Sequence, residues 1–77
     1  MTPDARASER LTPKERQVAR WLAQAKTNWE IGRILGISTR TVEKHVENLL
    51  RKLHVENRTA AAMEIARYAL LDRIEFE

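Results

Sequence analysis

The chain has 77 residues, 14 Lys and Arg against 11 Asp and Glu, a net charge of +3 and no cysteine. That length allows one small domain, burying about 60% of its unfolded surface, and the lack of cysteine excludes disulfide staples and thiolate metal sites. Two histidines are too few for a metal centre, and no apolar run approaches the roughly 20 residues that span a bilayer. No membrane, metal, cofactor or small-molecule ligand is therefore expected in this segment, and a soluble, cytoplasmic chain is. The basic surplus is concentrated in residues 11–58, with ten Lys or Arg against five acids. That suits a nucleic-acid partner but does not by itself select one.

Residues 1–10 contain Pro and small residues without apolar periodicity and read as a flexible tail or linker stub, leaving 11–77 as the domain. Thr12-Pro13-Lys14-Glu15 forms a capping box with Pro in the first helical position, and predicts a helix over about 12–25. Val18, Trp21, Leu22 and Ala25 share its apolar stripe, with Leu11 beneath. A second box, Thr27-Asn28-Trp29-Glu30, opens a helix over 28–35 with Ile31, Ile34 and Leu35 as its core stripe. Trp29 falls about 160° from Ile31 at 100° per residue and should be exposed. Gly36 supplies the left-handed residue that ends this helix.

Ser38 then caps a helix over 38–53, with Val42, Val46, Leu49, Leu50 and Leu53 on one side. Asn57 is a plausible cap for a fourth helix over 58–71. On that helix Ala62, Ile65, Ala66 and Ala69 read as the core stripe, while Ala61, Tyr68 and Leu71 form a second apolar stripe suited to a partner, a dimer interface. The fold class is all-α, four helices, with no strand-period segment.

A short helix, a Gly-containing turn and a longer capped helix spell a helix-turn-helix, whose second helix enters the major groove of double-stranded DNA. Arg40, Glu43, Lys44, Glu47 and Arg51 lie opposite its apolar side, mostly in the N-terminal half. Arg40 and Lys44 suit guanine O6 and N7, while Glu43 and Glu47 suit cytosine N4. Thr41 and Lys52 lie toward the flank, where phosphates would be met, as do the amides of Thr27 and Asn28 at a helix N-terminus. Arg51, toward the far end, joins the phosphate set. The competing reading is a solvated face with a Glu47–Arg51 pair worth about 0.2–0.5 kcal/mol. His45, at the edge of the apolar arc, fits a hydrogen-bonded structural role better than catalysis.

Leu11-Thr12-Pro13-Lys14-Glu15, Glu30-Ile31-Gly32 with Leu35-Gly36-Ile37-Ser38, Thr41-Val42-Glu43-Lys44-His45, Arg51-Lys52-Leu53 and Asn57-Arg58-Thr59-Ala60 together resemble the LuxR-type, or GerE-like, helix-turn-helix domain of bacterial transcription regulators. The resemblance covers about residues 11–70. It implies a sequence-specific DNA-binding regulator without enzymatic activity, acting as a homodimer through the fourth helix on a near-palindromic site. Carried over by position, base contacts fall near Glu43, Lys44 and Glu47, and phosphate contacts near Thr27, Arg40, Thr41, His45 and Lys52. Two of the three base positions are acidic here where basic or polar residues are frequent in the family, and Lys26 replaces a common Gly, so the first helix should end differently. The alternative is a small helical protein-interaction module that keeps the fold but binds another regulator through Trp29, Tyr68 and Leu71. With no Gly-rich phosphate loop, no Cys nucleophile and no metal cluster, an enzyme is not expected.

Overall fold

Thr12 is held in extended conformation, its hydroxyl accepting from the Glu15 amide at 3.1 Å while Glu15 Oε1 accepts from the Thr12 amide at 3.0 Å. This reciprocal cap and Pro13 start α1, Pro13–Ala23, in a computed structural model that describes residues 11–71, with side chains through Tyr68. The expected tail and the Ala69 and Leu71 side chains lie outside the described residues. Then come α2, Asn28–Leu35, α3, Thr39–Leu53, and α4, Arg58–Leu71.

All three connections rest on left-handed residues. Gly36, at φ 72°, ends α2, and the Ile37 amide returns to the Gly32 carbonyl at 3.0 Å. Ala25, at φ 66°, follows α1, with its amide on the Leu22 carbonyl and that of Lys26 on the Trp21 carbonyl. An Ala thus takes the strained left-handed position just before Lys26. His54, at φ 58°, closes α3, and the Val55 amide reaches the Leu50 carbonyl. These pairings satisfy carbonyls that a helix end otherwise leaves bare.

Gly32 has a different task. A Cβ there would stand 2.7 Å from the Ile37 carbonyl oxygen, inside contact distance, so glycine lets the turn fold back against α2 and fixes how α3 leaves it.

The core is one cluster of Val18, Ala19, Leu22, Ile31, Val42, Val46, Leu49, Leu53, Ala61, Ile65 and Tyr68, with Leu11, Trp21, Leu35, Ile37 and Leu50 packed around it. Each large member fully removed from water contributes about 1.5–3 kcal/mol. α1 and α3 each pack against the other three helices. Ile34 departs from its expected place: it is 46% exposed, because Ile31, Gly32 and Leu35 already fill the inward side of this two-turn helix.

On α4 the inward face draws on both apolar stripes, with Ile65 buried as expected and Ala62 packed against the core, joined by Ala61 and Tyr68 from the other stripe. Ala61, Ile65 and Tyr68 face inward, with Ala61 fully buried and Tyr68 8% exposed, whereas Ala66 is exposed. Ala61 and Tyr68 are therefore core residues and do not form a free outer stripe. Both stripes have helical spacing, and the face that turns inward brings the large ring of Tyr68 beside Ile65, a burial that removes more apolar surface than an alanine can. The exposed side presents Thr59, Met63, Ala66 and Arg67 instead.

Candidate nucleic-acid interface

Val42, Val46, Leu49 and Leu53 anchor one side of α3 in the core, which turns Arg40, Glu43, Lys44, Glu47 and Arg51 outward. All five are exposed. Among the described residues Arg40, Glu43, Lys44 and Glu47 have no hydrogen-bond or ion-pair partner. The Glu47–Arg51 pair of the solvated-face reading does not form; Arg51 Nη2 donates instead to Asn48 Oδ1 at 3.1 Å. The outward face of α3 from Arg40 to Glu47 thus carries two cations and two carboxylates, none neutralised by the protein.

The start of α3 is fixed by Ser38, whose hydroxyl accepts from the Thr41 amide at 3.0 Å and lies 2.8 Å from the Thr41 hydroxyl. Thr41 is exposed beside this cap. Further along the flank His45 is half-buried, with Nδ1 enclosed and lacking a hydrogen-bond partner among the described residues. The expected hydrogen-bonded structural histidine is not what this nitrogen shows.

Lys52 is already engaged. Its Nζ stands 2.7 Å from Glu15 Oε1, with the lysine side chain 25% exposed and the glutamate 4%. Sequence alone assigns Glu15 only a cap, because the pair joins residues 37 positions apart. Burial pushes the Glu15 carboxyl up, but the Lys52 hydrogen bond, the Thr12 amide and the charges of Lys52 and His45 together hold it below the ordinary 4.5.

The N-terminus of α2 is the second element. Thr27 caps it, its hydroxyl accepting from the Glu30 amide at 3.1 Å and its own amide donating to Glu30 Oε1 at 2.8 Å. That amide hydrogen bond lowers the Glu30 pKa. Arg58 Nη1 donates to Asn28 Oδ1 at 2.6 Å, and Nη2 donates to the Lys26 carbonyl. The Asn28 carbonyl oxygen is thereby occupied and its amide group is the part left for a ligand. Arg58 was not among the expected site residues; its only signal in the sequence is its place in the string that carries the resemblance. Trp29 is 60% exposed, as its wheel position requires, with the Arg33 guanidinium 5.3 Å from its ring centroid.

Among the described residues no cluster of His, Cys, Asp or Glu can hold a metal, and no helix is long and apolar enough to cross a membrane. A capped helix presenting an open charged face, led by a shorter helix and a glycine turn, is the geometry of a groove-reading pair. Residues 9–65 match the bacterial regulatory proteins of the luxR family. The chain belongs to that family. It is 43% identical over 72 residues to the transcriptional activator protein BjaR1 of Bradyrhizobium diazoefficiens, covering 94% of this chain and 30% of that protein. It is 47% identical over 62 residues to the HTH-type quorum sensing-dependent transcriptional regulator RpaR of Rhodopseudomonas palustris, covering 80% and 26%. With the transcriptional activator protein AnoR of Acinetobacter nosocomialis it shares 41% over 61 residues, covering 79% and 26%. This luxR-family chain thus spans less than a third of the length of these curated relatives.

Proposed function

We propose that this chain is the DNA-binding part of a transcription regulator, with α3 docked in the major groove and no chemistry of its own. The observation that carries the reading is the outward, unneutralised set Arg40, Glu43, Lys44 and Glu47 on a helix whose other side is locked into the core. Membership of the luxR family and likeness to the transcription regulators named above support it. A DNA partner also puts the chain in the cytoplasm.

Base reading falls to Arg40, Glu43, Lys44 and Glu47. Phosphate contacts fall to Thr27, through its hydroxyl because its amide is held by Glu30, and to Asn28 at the start of α2, and to Thr41, His45, Arg51 and Lys52 along α3. With Nδ1 of His45 enclosed, Nε2 is its group for a phosphate. Lys52 acts from within its pair with Glu15, so its contribution is smaller than that of a free cation.

Homodimerisation through α4 remains part of the reading, with its surface moved to the face bearing Met63, which is 68% exposed, and Ala66. A two-fold axis there would set two recognition helices about one DNA turn, roughly 34 Å, apart on a near-palindromic site. One observation favours an additional protein contact: Trp29 and Ile34 are both large, apolar and exposed on α2.

Duplex affinity measured across salt concentrations tests the main reading. A dimer engaging about 6–10 phosphates should lose roughly 10³–10⁵ in affinity between 50 and 200 mM salt. Binding that is absent, or flat with salt, would contradict it.

A further inference from the structure

Two of the exposed charged residues on α3 are acids, unusual on a surface that meets a polyanion. Glu43 and Glu47 are one turn apart, about 6 Å along the axis at 1.5 Å per residue. Both are exposed, and among the described residues neither meets a cation or hydrogen-bond donor. An unpaired carboxylate brought against a phosphate ridge is repelled. On the floor of the major groove it is tolerated only by a base edge that offers a donor.

The four edges differ in this respect. Guanine offers O6 and N7, both acceptors, and thymine offers O4 and a methyl group, so neither suits a carboxylate. Adenine offers its N6 amino group beside the N7 acceptor, which repels the second carboxylate oxygen. Cytosine offers its N4 amino group with no neighbouring acceptor on that edge, and is the best match. Lys44, beside Glu43 and also without a partner, is a donor suited to guanine O6 and N7, as is Arg40 one turn earlier.

Resting on the DNA-binding reading above, we infer that the half-site is built of G·C pairs, in which Glu43 and Glu47 each select a separate cytosine and Lys44 and Arg40 select guanine. The acids act by exclusion as much as by attraction, penalising guanine and thymine at their positions. A recognition face carrying only cations would bind duplexes more tightly but discriminate less, since each acid gives up phosphate attraction for a requirement at one base.

Selection from a random duplex pool by the wild-type chain, Glu43→Gln and Glu47→Gln tests this. Glutamine keeps the size of glutamate and suits adenine N6 and N7. The wild type should enrich cytosine at two separate positions among G·C pairs. Each variant should move one position, a different one in each case, from cytosine toward adenine, with a preference change on the order of 10–100-fold there and none elsewhere. Both side chains are exposed, so thermal melts of the variants should match the wild type. The inference is overturned by an enriched site with adenine or thymine at the acid-read positions. It is equally overturned by variants that select the wild-type sequence, whether or not they bind it more tightly. A wild-type pool with no enriched sequence would overturn the DNA-binding reading as well, which separates the two failures.

Discussion

Lys52 near the end of α3 places its ammonium 2.7 Å from Glu15 in the first turn of α1, and the same carboxylate oxygen caps Thr12. One buried atom therefore starts α1 and ties it to the recognition helix. Removing the lysine leaves a carboxylate that is 4% exposed with its Thr12 hydrogen bond but without its counter-charge, a loss of about 1–3 kcal/mol. Lys52→Ala should lower the urea midpoint by the equivalent of about 1–3 kcal/mol. If Lys52 served phosphate alone, the midpoint would not move and only duplex affinity would fall.

The same pair sets an acid limit on stability. Glu15 has a folded-state pKa below its ordinary 4.5, so its contribution is fully present above that value. It is lost as pH falls through the lower, folded-state pKa, where both states bind the proton. Wild type and Glu15→Gln, melted between pH 7 and pH 3, should differ most at neutral pH and converge on acidification. A gap that stays constant down to pH 3 would show that the charge of Glu15 contributes nothing.

Gly32→Ala tests the close approach of the turn to α2. The added Cβ would meet the Ile37 carbonyl oxygen at 2.7 Å, and backbone has little room to yield. Alanine's better helix propensity returns about 1 kcal/mol, so the expected net loss is about 1–3 kcal/mol by denaturant melt, with weaker duplex binding as the angle between α2 and α3 shifts. A variant as stable as the wild type would mean that the turn can relax without consequence.

Ala25 and His54 occupy left-handed positions that favour glycine. Such a conformation costs an ordinary residue about 1–2 kcal/mol, partly offset by the greater unfolded-state entropy of glycine. Ala25→Gly and His54→Gly should each raise stability by up to about 1 kcal/mol in thermal melts. Lowered melting temperatures would show that the native side chains make contacts worth more than the strain.

The four helices were legible because their ends are chemically marked: Thr12, Thr27, Ser38 and Asn57 all cap as expected, and Gly36 takes the left-handed turn. α3 was the clearest, since its leucines and valines occupy one side and its charges the other. α4 was not, because alanines lie on both its sides and period alone does not choose between them. The bulk of Tyr68 decides the inward face. The open face of α3 follows from its periodicity. The partners of its flank do not: Glu15 with Lys52 and Arg58 with Asn28 join residues 30 or more positions apart, and no local spacing encodes such pairs.

The central claim is that the outward face of α3 is the surface that meets DNA. Titrating the isotope-labelled chain with a selected duplex and mapping amide and side-chain NMR shifts tests it most directly. The account expects the largest changes at Arg40, Glu43, Lys44 and Glu47, with smaller ones at Thr27 and Asn28. Changes centred on Met63 and Ala66 or on Trp29 and Ile34, with the α3 face unmoved, would contradict it.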